Sequence, residues 1–329
     1  MTPELAVFGC LTLDNVVTAE GRVLPQSFAG NAIYAALGAR LWSDSVGVVA
    51  RAGDNYPQAC FDLLKDLGVD VAGIRRLPQP HGRNMAFFYR ADGSRTRQAS
   101  PEVLAALPPA ERDRFIDTTL QPDAREKWFA FSPDVEDAPS GWWPGLRGVH
   151  CPAIPMARQA RIVSSAKSRH GGKIWAQVDS PWQDKAAQEP AEEAALLSEV
   201  DAVLPSEADL DDLLPGATRH AAVKALLHAG ARRVVLKRGA DGCDIYGHDG
   251  RTVHIPTVAV DVVDLTGAGD AFCGGFLAGI CTTGDVIAAA RQGAVSASFA
   301  IERRGVEGLA RADRREAADR LASITQKPV

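Results

Sequence analysis

Several features that would place this chain in other classes of protein are missing from its sequence. Its six cysteines lie far apart, with no CxxC or metal-ligand spacing, which argues against a disulfide scaffold or a zinc site. No uncharged run reaches the roughly 18 to 20 residues that span a bilayer. The first residues show neither the basic region nor the apolar stretch of a signal peptide. We therefore expect a soluble, cytoplasmic protein with reduced thiols and no membrane partner.

An excess of charge of one sign is also missing. The 36 basic and 41 acidic residues give a net charge of −5, and arginines near Arg75, Arg95 and Arg303 are interspersed with acidic and apolar residues. Because nucleic-acid binding requires a basic surface, we expect no nucleic-acid partner. The sequence contains no Walker motif, no Gly-x-Ser-x-Gly elbow and no His-Glu-x-x-His helix. P-loop enzymes and the corresponding hydrolases are therefore disfavoured.

The chain is long enough to bury a large core. It has 329 residues, 46% of them hydrophobic and 23% charged, and short apolar runs alternate with helix-length amphipathic runs. This alternation predicts an α/β fold with a mostly parallel central sheet flanked by helices on both faces, in one domain over residues 1–329. The predicted strands are residues 6–8, 46–50, 128–131, 173–178, 202–204 and 233–236; the predicted helices are residues 32–41, 56–67, 191–197 and 221–229.

Two segments do not follow this alternation of strands and helices, namely residues 15–28 and 84–97. The second contains an apolar run, a turn at Asp92-Gly93 and a further short run, a pattern typical of a β-hairpin. The second segment therefore predicts a β-hairpin outside the βα alternation. An ordinary hairpin at the edge of the main sheet is the alternative.

The most informative motif is residues 264–270, Asp-Leu-Thr-Gly-Ala-Gly-Asp. The valine-rich residues 258–263 before it predict a buried strand, and residues 271–280 after it predict a packed helix. The N–H groups of Gly267, Ala268 and Gly269 would then be open at a helix N-terminus, where the helix dipole adds positive charge. The motif therefore predicts a pocket for an anion such as phosphate.

Asp270 follows this turn. A carboxylate beside an anion pocket suits phosphoryl transfer, in which a base orients the attacking hydroxyl while amides and a metal ion absorb charge. Because the backbone there is electropositive, we expect Asp270 to stay ionised and to be a weak base. The alternative is that Asp270 simply caps the helix.

Residues 264–272, followed by Gly274 and Gly275, resemble the C-terminal signature of the ribokinase-like, PfkB-type carbohydrate kinases, with Leu265 in place of a threonine. The resemblance extends over nearly the whole chain. It implies ATP-dependent phosphorylation of a hydroxyl of a sugar or sugar-like molecule, with Mg²⁺. It also implies that residues 15–28 and 84–97 form a lid over the sugar, which in many relatives pairs with a second subunit to make a homodimer.

The resemblance also assigns residues that bind the acceptor. Asp14 matches an aspartate that accepts hydrogen bonds from sugar hydroxyls, with a plain turn as the alternative. Gly30 and Asn31 match the first family signature, although Tyr34 replaces an expected asparagine. Either Asn31 supplies the missing amide contact, or Tyr34 stacks on the ligand; helix capping by Asn31 is the further alternative. Arg90 resembles a lid residue of relatives that phosphorylate 2-keto-3-deoxygluconate, where an arginine pairs with an acid group.

On the nucleotide side, Ser206 and Asp209 take the places of the family's Asn-x-x-Glu motif, which organises Mg²⁺ and its waters. The alternative is a solvated acidic helix start. Lys237, Gly239 and Gly242 resemble the stretch beside ATP, with Lys237 replacing a threonine and reaching phosphate oxygens; a structural hairpin turn is the alternative. Other positions implied by the resemblance are listed here: Asp179 near the phosphates, and Asp264 and Thr266 at a monovalent-cation site for K⁺.

The departures at Leu265, Ser206 and Tyr34 leave a second class of function open. It is a catalytically weak or inactive protein that binds a sugar or nucleoside on the same fold. The retained Asp270 and glycine turn argue against it. Among acceptors, 2-keto-3-deoxygluconate, ribose, fructose and nucleosides all fit the sequence.

Overall fold

The computed structural model describes residues 2–90, 95–180, 190–324 and 327–328. Their strands are β1 (Leu5–Phe8), β2 (Thr12–Val17), β3 (Ser27–Ala29), β4 (Val46–Gly53), β5 (Asp70–Leu77), β6 (Asn84–Tyr89), β7 (Arg95–Thr96), β8 (Gly148–Cys151), β9 (Trp175–Val178), β10 (Ala202–Val203), β11 (Arg233–Lys237), β12 (Cys243–Gly247), β13 (Thr252–Ile255) and β14 (Lys327–Pro328). The predicted turn at Asp92-Gly93 lies outside the described residues.

The α-helices of the same residues are α1 (Asn31–Arg40), α2 (Gln58–Asp66), α3 (Pro101–Ala106), α4 (Ala124–Phe131), α5 (Met156–Arg169), α6 (Pro190–Glu199), α7 (Glu207–Leu213), α8 (Arg219–His228), α9 (Ala268–Thr283), α10 (Val286–Ile301), α11 (Glu307–Ala310) and α12 (Arg314–Ser323). Short 3-10 helices occupy Pro109–Phe115, Thr118–Leu120, Val135–Asp137, Trp143–Gly145 and Gly239–Asp241. In the part of the chain that the structure describes, no helix is both long and apolar enough to cross a membrane.

The main sheet has the order β14-β13-β12-β11-β10-β9-β8-β1-β4-β5. Strands from β5 across to β11 are parallel, and β12, β13 and β14 are antiparallel. The valine-rich strand β4 is buried along its whole length, as expected for a parallel strand covered on both faces. Two large apolar clusters pack on the sheet, which confirms the predicted α/β class.

A second sheet, with the order β3-β2-β6-β7, is built from the two segments that departed from the βα rhythm. Strand β6 pairs in parallel with β2 and antiparallel with β7, so the predicted strand pair within residues 84–97 is present. These strands form their own sheet and do not extend an edge of the main one. The alternative of an ordinary edge hairpin is therefore wrong.

Two predicted strands are absent. Residues 128–131 belong to helix α4, because Trp128 and Phe131 are three positions apart and both turn inward on one helical face. Residues 258–263 form no regular element; Pro256 follows β13 at once, and Val262 and Val263 are 58% and 51% exposed. The helix predicted over residues 271–280 is present within α9.

Helices α1 and α9 pack without side chains between them. A Cβ atom on Gly274 would overlap the carbonyl oxygen of Ala35, and one on Gly38 would overlap that of Ala271. Gly274 and Gly38 therefore let the two backbones touch, which fixes the position of the first turn of α9.

Replacing Gly274 with alanine tests this contact. In an ordinary helix interior the change stabilises a protein by up to about 1 kcal/mol. Here the added methyl group must push α1 away, so we expect a loss of about 2 to 3 kcal/mol in the free energy of unfolding, measured with urea. Gly141→Ala is the matched control, since no heavy atom lies within 4 Å of its Cβ position. Equal stabilities for the two variants would contradict the close packing.

Candidate active site

A cavity of about 1100 Å³ opens at the carboxyl ends of the parallel strands. This is the edge at which open α/β sheets bind their ligands. It contains most of the residues that the sequence singled out, which are listed here: Asp14, Gly30, Asn31, Asp179, Ser206, Asp209, Lys237, Gly239, Gly242, Thr266, Gly267, Ala268, Gly269 and Asp270. Asp264 and Arg90 do not line the cavity, and Arg90 is exposed. Acceptor binding by Arg90 stays a prediction.

The first turn of α9 opens onto this cavity. Its N-cap is Gly267, with φ at 78°, and no side chain caps it. The N–H of Ala268 donates to the carbonyl oxygen of Leu265 at 3.3 Å, whereas the N–H groups of Gly269 and Asp270 find no acceptor among the described residues. Open donors therefore lie at Gly269 and Asp270, and the N–H of Gly267 also has no acceptor among the described residues; the N–H of Ala268, which the sequence predicted to be open, is turned back onto Leu265.

Gly267 is required for two reasons. Its positive φ is costly for any residue with a side chain, and a Cβ atom there would overlap the ring of Tyr34. Tyr34 is 1% exposed and packs beneath the turn. The ring of Tyr34 thus supports the glycine turn, and Tyr34 also lines the cavity, so its stacking on a ligand stays a prediction.

The side chain of Lys237 packs against the same turn, next to Gly269. Its Nζ donates to Asp179 Oδ2 at 2.8 Å and lies 3.6 Å from the sulfur of Cys273. A Cβ built on Gly269 would be 3.3 Å from this Nζ. Burial alone would lower the pKa of Lys237, but the charge of Asp179, the hydrogen bond to it and smaller contributions from Cys273 and Asp209 together raise the pKa. A permanent positive charge therefore lies directly below the open amides.

Asp270 is the third residue of α9 and is half-buried in the cavity wall. Burial and the negative charge of Asp179 raise its pKa to about 7, although Lys237 opposes this; Asp209 adds to the rise. The prediction of a fully ionised, weak base is therefore wrong, because the nearby acids and the loss of water outweigh the helix dipole. Helix capping by Asp270 is also wrong, since the N-cap is Gly267.

Ser206 and Asp209 form a capping box at the start of α7. Asp209 Oδ2 accepts from the backbone N–H of Ser206 at 2.7 Å and from its hydroxyl at 2.6 Å. These two residues therefore start helix α7, and both also line the cavity. Within the described ranges, no three His, Cys, Asp or Glu side chains come close enough to hold a metal ion directly. The carboxylates of Asp179, Asp209 and Asp270 suit a hydrated Mg²⁺, which is bound largely through water.

On the opposite wall, Asp14 lies in strand β2, not in a turn, and its carboxylate accepts from the Thr12 hydroxyl at 3.1 Å. Gly30 is the N-cap of α1, and a Cβ atom there would overlap the Cys10 carbonyl oxygen. The side-chain amide of Asn31 accepts from the N–H of Cys10 at 2.7 Å and donates to the Ala153 carbonyl at 3.0 Å. Asn31 therefore joins two strand ends and does not cap the helix as the alternative predicted.

Gly239 and Gly242 lie in the turn of the hairpin formed by β11 and β12, and both have positive φ. The structural hairpin turn that was the alternative is therefore present, and both glycines also line the cavity.

Asp264 Oδ1 accepts from the N–H and the hydroxyl of Thr266, at 3.0 and 2.8 Å. The sequence reasoning missed Arg83, which lines the cavity. The sequence signal that could have identified Arg83 is its place directly before the segment of residues 84–97.

Comparison with known proteins agrees with this geometry. Residues 161–312 match the family model described as pfkB family carbohydrate kinase. A cytidine kinase of Thermococcus kodakarensis is 25% identical over 282 residues, which are 84% of this chain and 88% of that protein. A 5-dehydro-2-deoxygluconokinase of Shouchella clausii is 24% identical over 290 residues, covering 86% and 83% of the two chains.

Solved structures extend the similarity of fold to the whole chain. An Escherichia coli protein described as a ribokinase II, in complex with ATP and Mg²⁺, superposes with a TM-score of 0.70 at 19% identity, covering 97% of this chain and 99% of the other. The fold is therefore that of ribokinase. The family match over residues 161–312 agrees with the resemblance that the C-terminal motif indicated.

The raised pKa of Asp270 predicts a pH-dependent effect of Asp270→Asn on stability. The folded-state pKa of about 7 lies above the ordinary value of 3.8, so the wild-type protein loses stability as the pH rises from about 4 to 7 and the buried carboxyl group ionises. Asparagine does not ionise and causes no such loss. We therefore expect Asp270→Asn to exceed the wild type in free energy of unfolding by more at pH 8 than at pH 5, measured by urea unfolding. Asp66→Asn, an exposed position at the end of α2, controls for lost charge; the same difference at both pH values would contradict the shift.

Proposed function

We propose that the protein transfers the γ-phosphoryl group of ATP to a hydroxyl of a sugar or sugar-like molecule. The observation that carries this proposal is the half-buried Asp270, with its pKa near 7, beside the open N–H groups of Gly269 and Asp270 and above Lys237. A base that titrates near neutral pH and donors aimed at developing negative charge are the two requirements of this reaction.

In the proposed reaction, Asp270 accepts the proton of the acceptor hydroxyl as its oxygen attacks the γ-phosphorus. A bond forms between that oxygen and phosphorus, and the bond to the β,γ-bridging oxygen breaks, which leaves ADP. The N–H groups of Gly269 and Asp270 stabilise the charge on the transferred group. Asp209 and its neighbours would hold Mg²⁺ through water, and the ion would supply neutralisation of phosphate charge there.

Lys237 has a second role in this proposal. Its ammonium group is tied to Asp179 at 2.8 Å, immediately below Gly269. A phosphate group seated on the turn would share this charge, so Lys237 supports the nucleotide as a point charge. Ser206, Gly239 and Gly242 line the same end of the cavity and complete the proposed ATP site.

Asp14, Gly30 and Asn31 line the proposed acceptor end of the same cavity. In this proposal Asp14 accepts hydrogen bonds from the acceptor's hydroxyls, Gly30 lets the backbone pass close to Cys10, and Asn31 holds Cys10 and Ala153 in place. The sheet of β2, β3, β6 and β7 is proposed as the lid of a single kinase domain, and as the face of a homodimer. Asp264 and Thr266 are proposed to belong to a K⁺ site, because their Asx turn shapes the loop before α9.

The variant Asp270→Asn tests the proposed reaction. We expect it to bind ATP as tightly as the wild type and to lose turnover by about 10²- to 10⁴-fold, since an amide cannot accept the proton. Turnover is measured as ADP release over a panel of neutral sugars, acid sugars and nucleosides, and ATP binding by calorimetry. Asp66→Asn should keep wild-type turnover.

Near-normal turnover in Asp270→Asn would contradict the assigned role of the carboxylate. A wild-type protein that binds members of the panel but releases no ADP with any of them would favour the inactive binding protein instead.

A further inference from the structure

Arg238 lies between two residues of the proposed ATP site, yet its side chain does not line the cavity. Lys237 and Gly239, on either side of it in the sequence, both do. The side chain of Arg238 lines a smaller neighbouring pocket, together with Asp241 of the hairpin turn. Its N–H donates to the carbonyl oxygen of Gly242 at 2.8 Å, which fixes Arg238 at the base of this turn. The proposed phosphoryl transfer assigns no role to this arginine.

Three carboxylates from three segments of the chain pair with the guanidinium group of Arg238. They belong to Asp244 in β12 at 3.1 Å, Asp241 in the hairpin turn at 3.4 Å and Glu207 at the start of α7 at 3.5 Å. A planar guanidinium presents five N–H donors in fixed directions, so one arginine can hold all three segments together. Because the side chain of Arg238 is only 18% exposed, water screens its pair with the buried Asp244 less than it screens a surface ion pair.

Asp244 is the fixed end of this group of contacts. It is 4% exposed, and its carboxylate also accepts from the Tyr246 hydroxyl at 3.3 Å and lies 2.7 Å from Nδ1 of His254 in β13. Strands β12 and β13 therefore hold this acid in place. At the other end, Glu207 directly follows Ser206, which lines the cavity. The guanidinium group thus joins these two strands to the helix start that contributes to the proposed ATP site.

The two ends of the hairpin turn differ in how firmly they are packed. A Cβ atom on Gly242 would overlap a carbonyl oxygen of β13, so that end packs against the sheet. A Cβ atom on Gly239 would meet no heavy atom within 4 Å in the part of the chain that the structure describes. Between them, the Thr257 hydroxyl donates to the carbonyl oxygen of Ala240 at 3.3 Å in an exposed contact. Because glycine adds backbone freedom, the loosely packed Gly239 end is the part of the turn that depends on Arg238.

We propose that Arg238 is a positioning residue for the nucleotide, which holds the Gly239 end of the hairpin turn at a fixed distance from the start of α7. The two sides of the proposed ATP site then keep their spacing before a nucleotide binds. A site that is already ordered loses less conformational entropy when its ligand arrives, and it therefore binds the ligand more tightly. The inference rests on the proposed kinase function, since it concerns the ATP site of that reaction.

Binding of ATP, ADP and AMP, measured by calorimetry, tests this role, and urea unfolding gives the stability of each variant. Arg238→Gln removes the ion pairs, Arg238→Lys keeps the charge without the planar fork, and Asp244→Asn removes the partner in β12. Arg251→Gln, in the exposed segment between β12 and β13, is the control for a lost charge and should bind as the wild type does. KM and kcat are measured in the active protein over the same panel of acceptors.

We expect Arg238→Gln to weaken the binding of all three nucleotides by about 5- to 30-fold, with partial recovery in Arg238→Lys. The KM for ATP should rise, while the KM for the acceptor and kcat at saturating ATP should stay at their wild-type values. Asp244→Asn should give a similar loss. The variant with both changes should lose little more than either alone, because both changes break the same link.

Wild-type nucleotide binding in Arg238→Gln, with or without a loss of stability, would overturn the assignment; if that variant does not fold, wild-type binding in Arg238→Lys and Asp244→Asn would do so. A loss that shrinks from ATP to AMP would show that Arg238 contacts the phosphates itself, and losses that add in full in the double variant would show separate roles. Either result would also overturn it.

The same measurements judge the kinase proposal separately. Nucleotide binding that depends on Arg238, with no ADP release from any acceptor, would refute the kinase proposal alone. ADP release by a protein whose nucleotide binding does not depend on Arg238 would refute the positioning role alone. A wild-type protein that binds no nucleotide would refute both.

Discussion

The direct contact between helices α1 and α9 is the constraint on which the candidate site depends. Gly38 and Gly274 allow the two backbones to meet, and Gly267 allows the chain to turn over the ring of Tyr34 into the first turn of α9. If any of these positions carried a side chain, the open N–H groups of that turn would move away from the strand ends. Backbone geometry, rather than a set of polar side chains, therefore positions the anion pocket.

The electrostatics of the site follow from this placement. The first turn of α9 lies against the end of β11, so Lys237, Asp179 and Asp270 share one poorly hydrated region. The charge of Asp179 raises the pKa of Asp270 by more than the charge of Lys237 lowers it. Asp270 then feels its own burial more than the positive helix end, and its pKa rises towards neutral pH. A carboxyl group in this state serves as a base, in our proposal, without a histidine.

Much of the fold was predictable from the sequence, because buried parallel strands and amphipathic helices leave periodic patterns. The motif at residues 264–270 also located the glycine turn and Asp270. The failures have a common cause: residues 258–263 look like a strand locally, yet Pro256 ends β13 before them and their valines are exposed. The pKa of Asp270 depends on side chains distant in sequence, which no local pattern reports.

The central claim is that burial and neighbouring acids poise the carboxyl group of Asp270 to exchange a proton near neutral pH. Its most direct test is a titration of that carboxyl carbon by carbon-13 NMR in the ligand-free protein, with the signal assigned by its absence in Asp270→Asn. The account predicts a midpoint near pH 7. A midpoint close to the ordinary aspartate value of about 4 would contradict it.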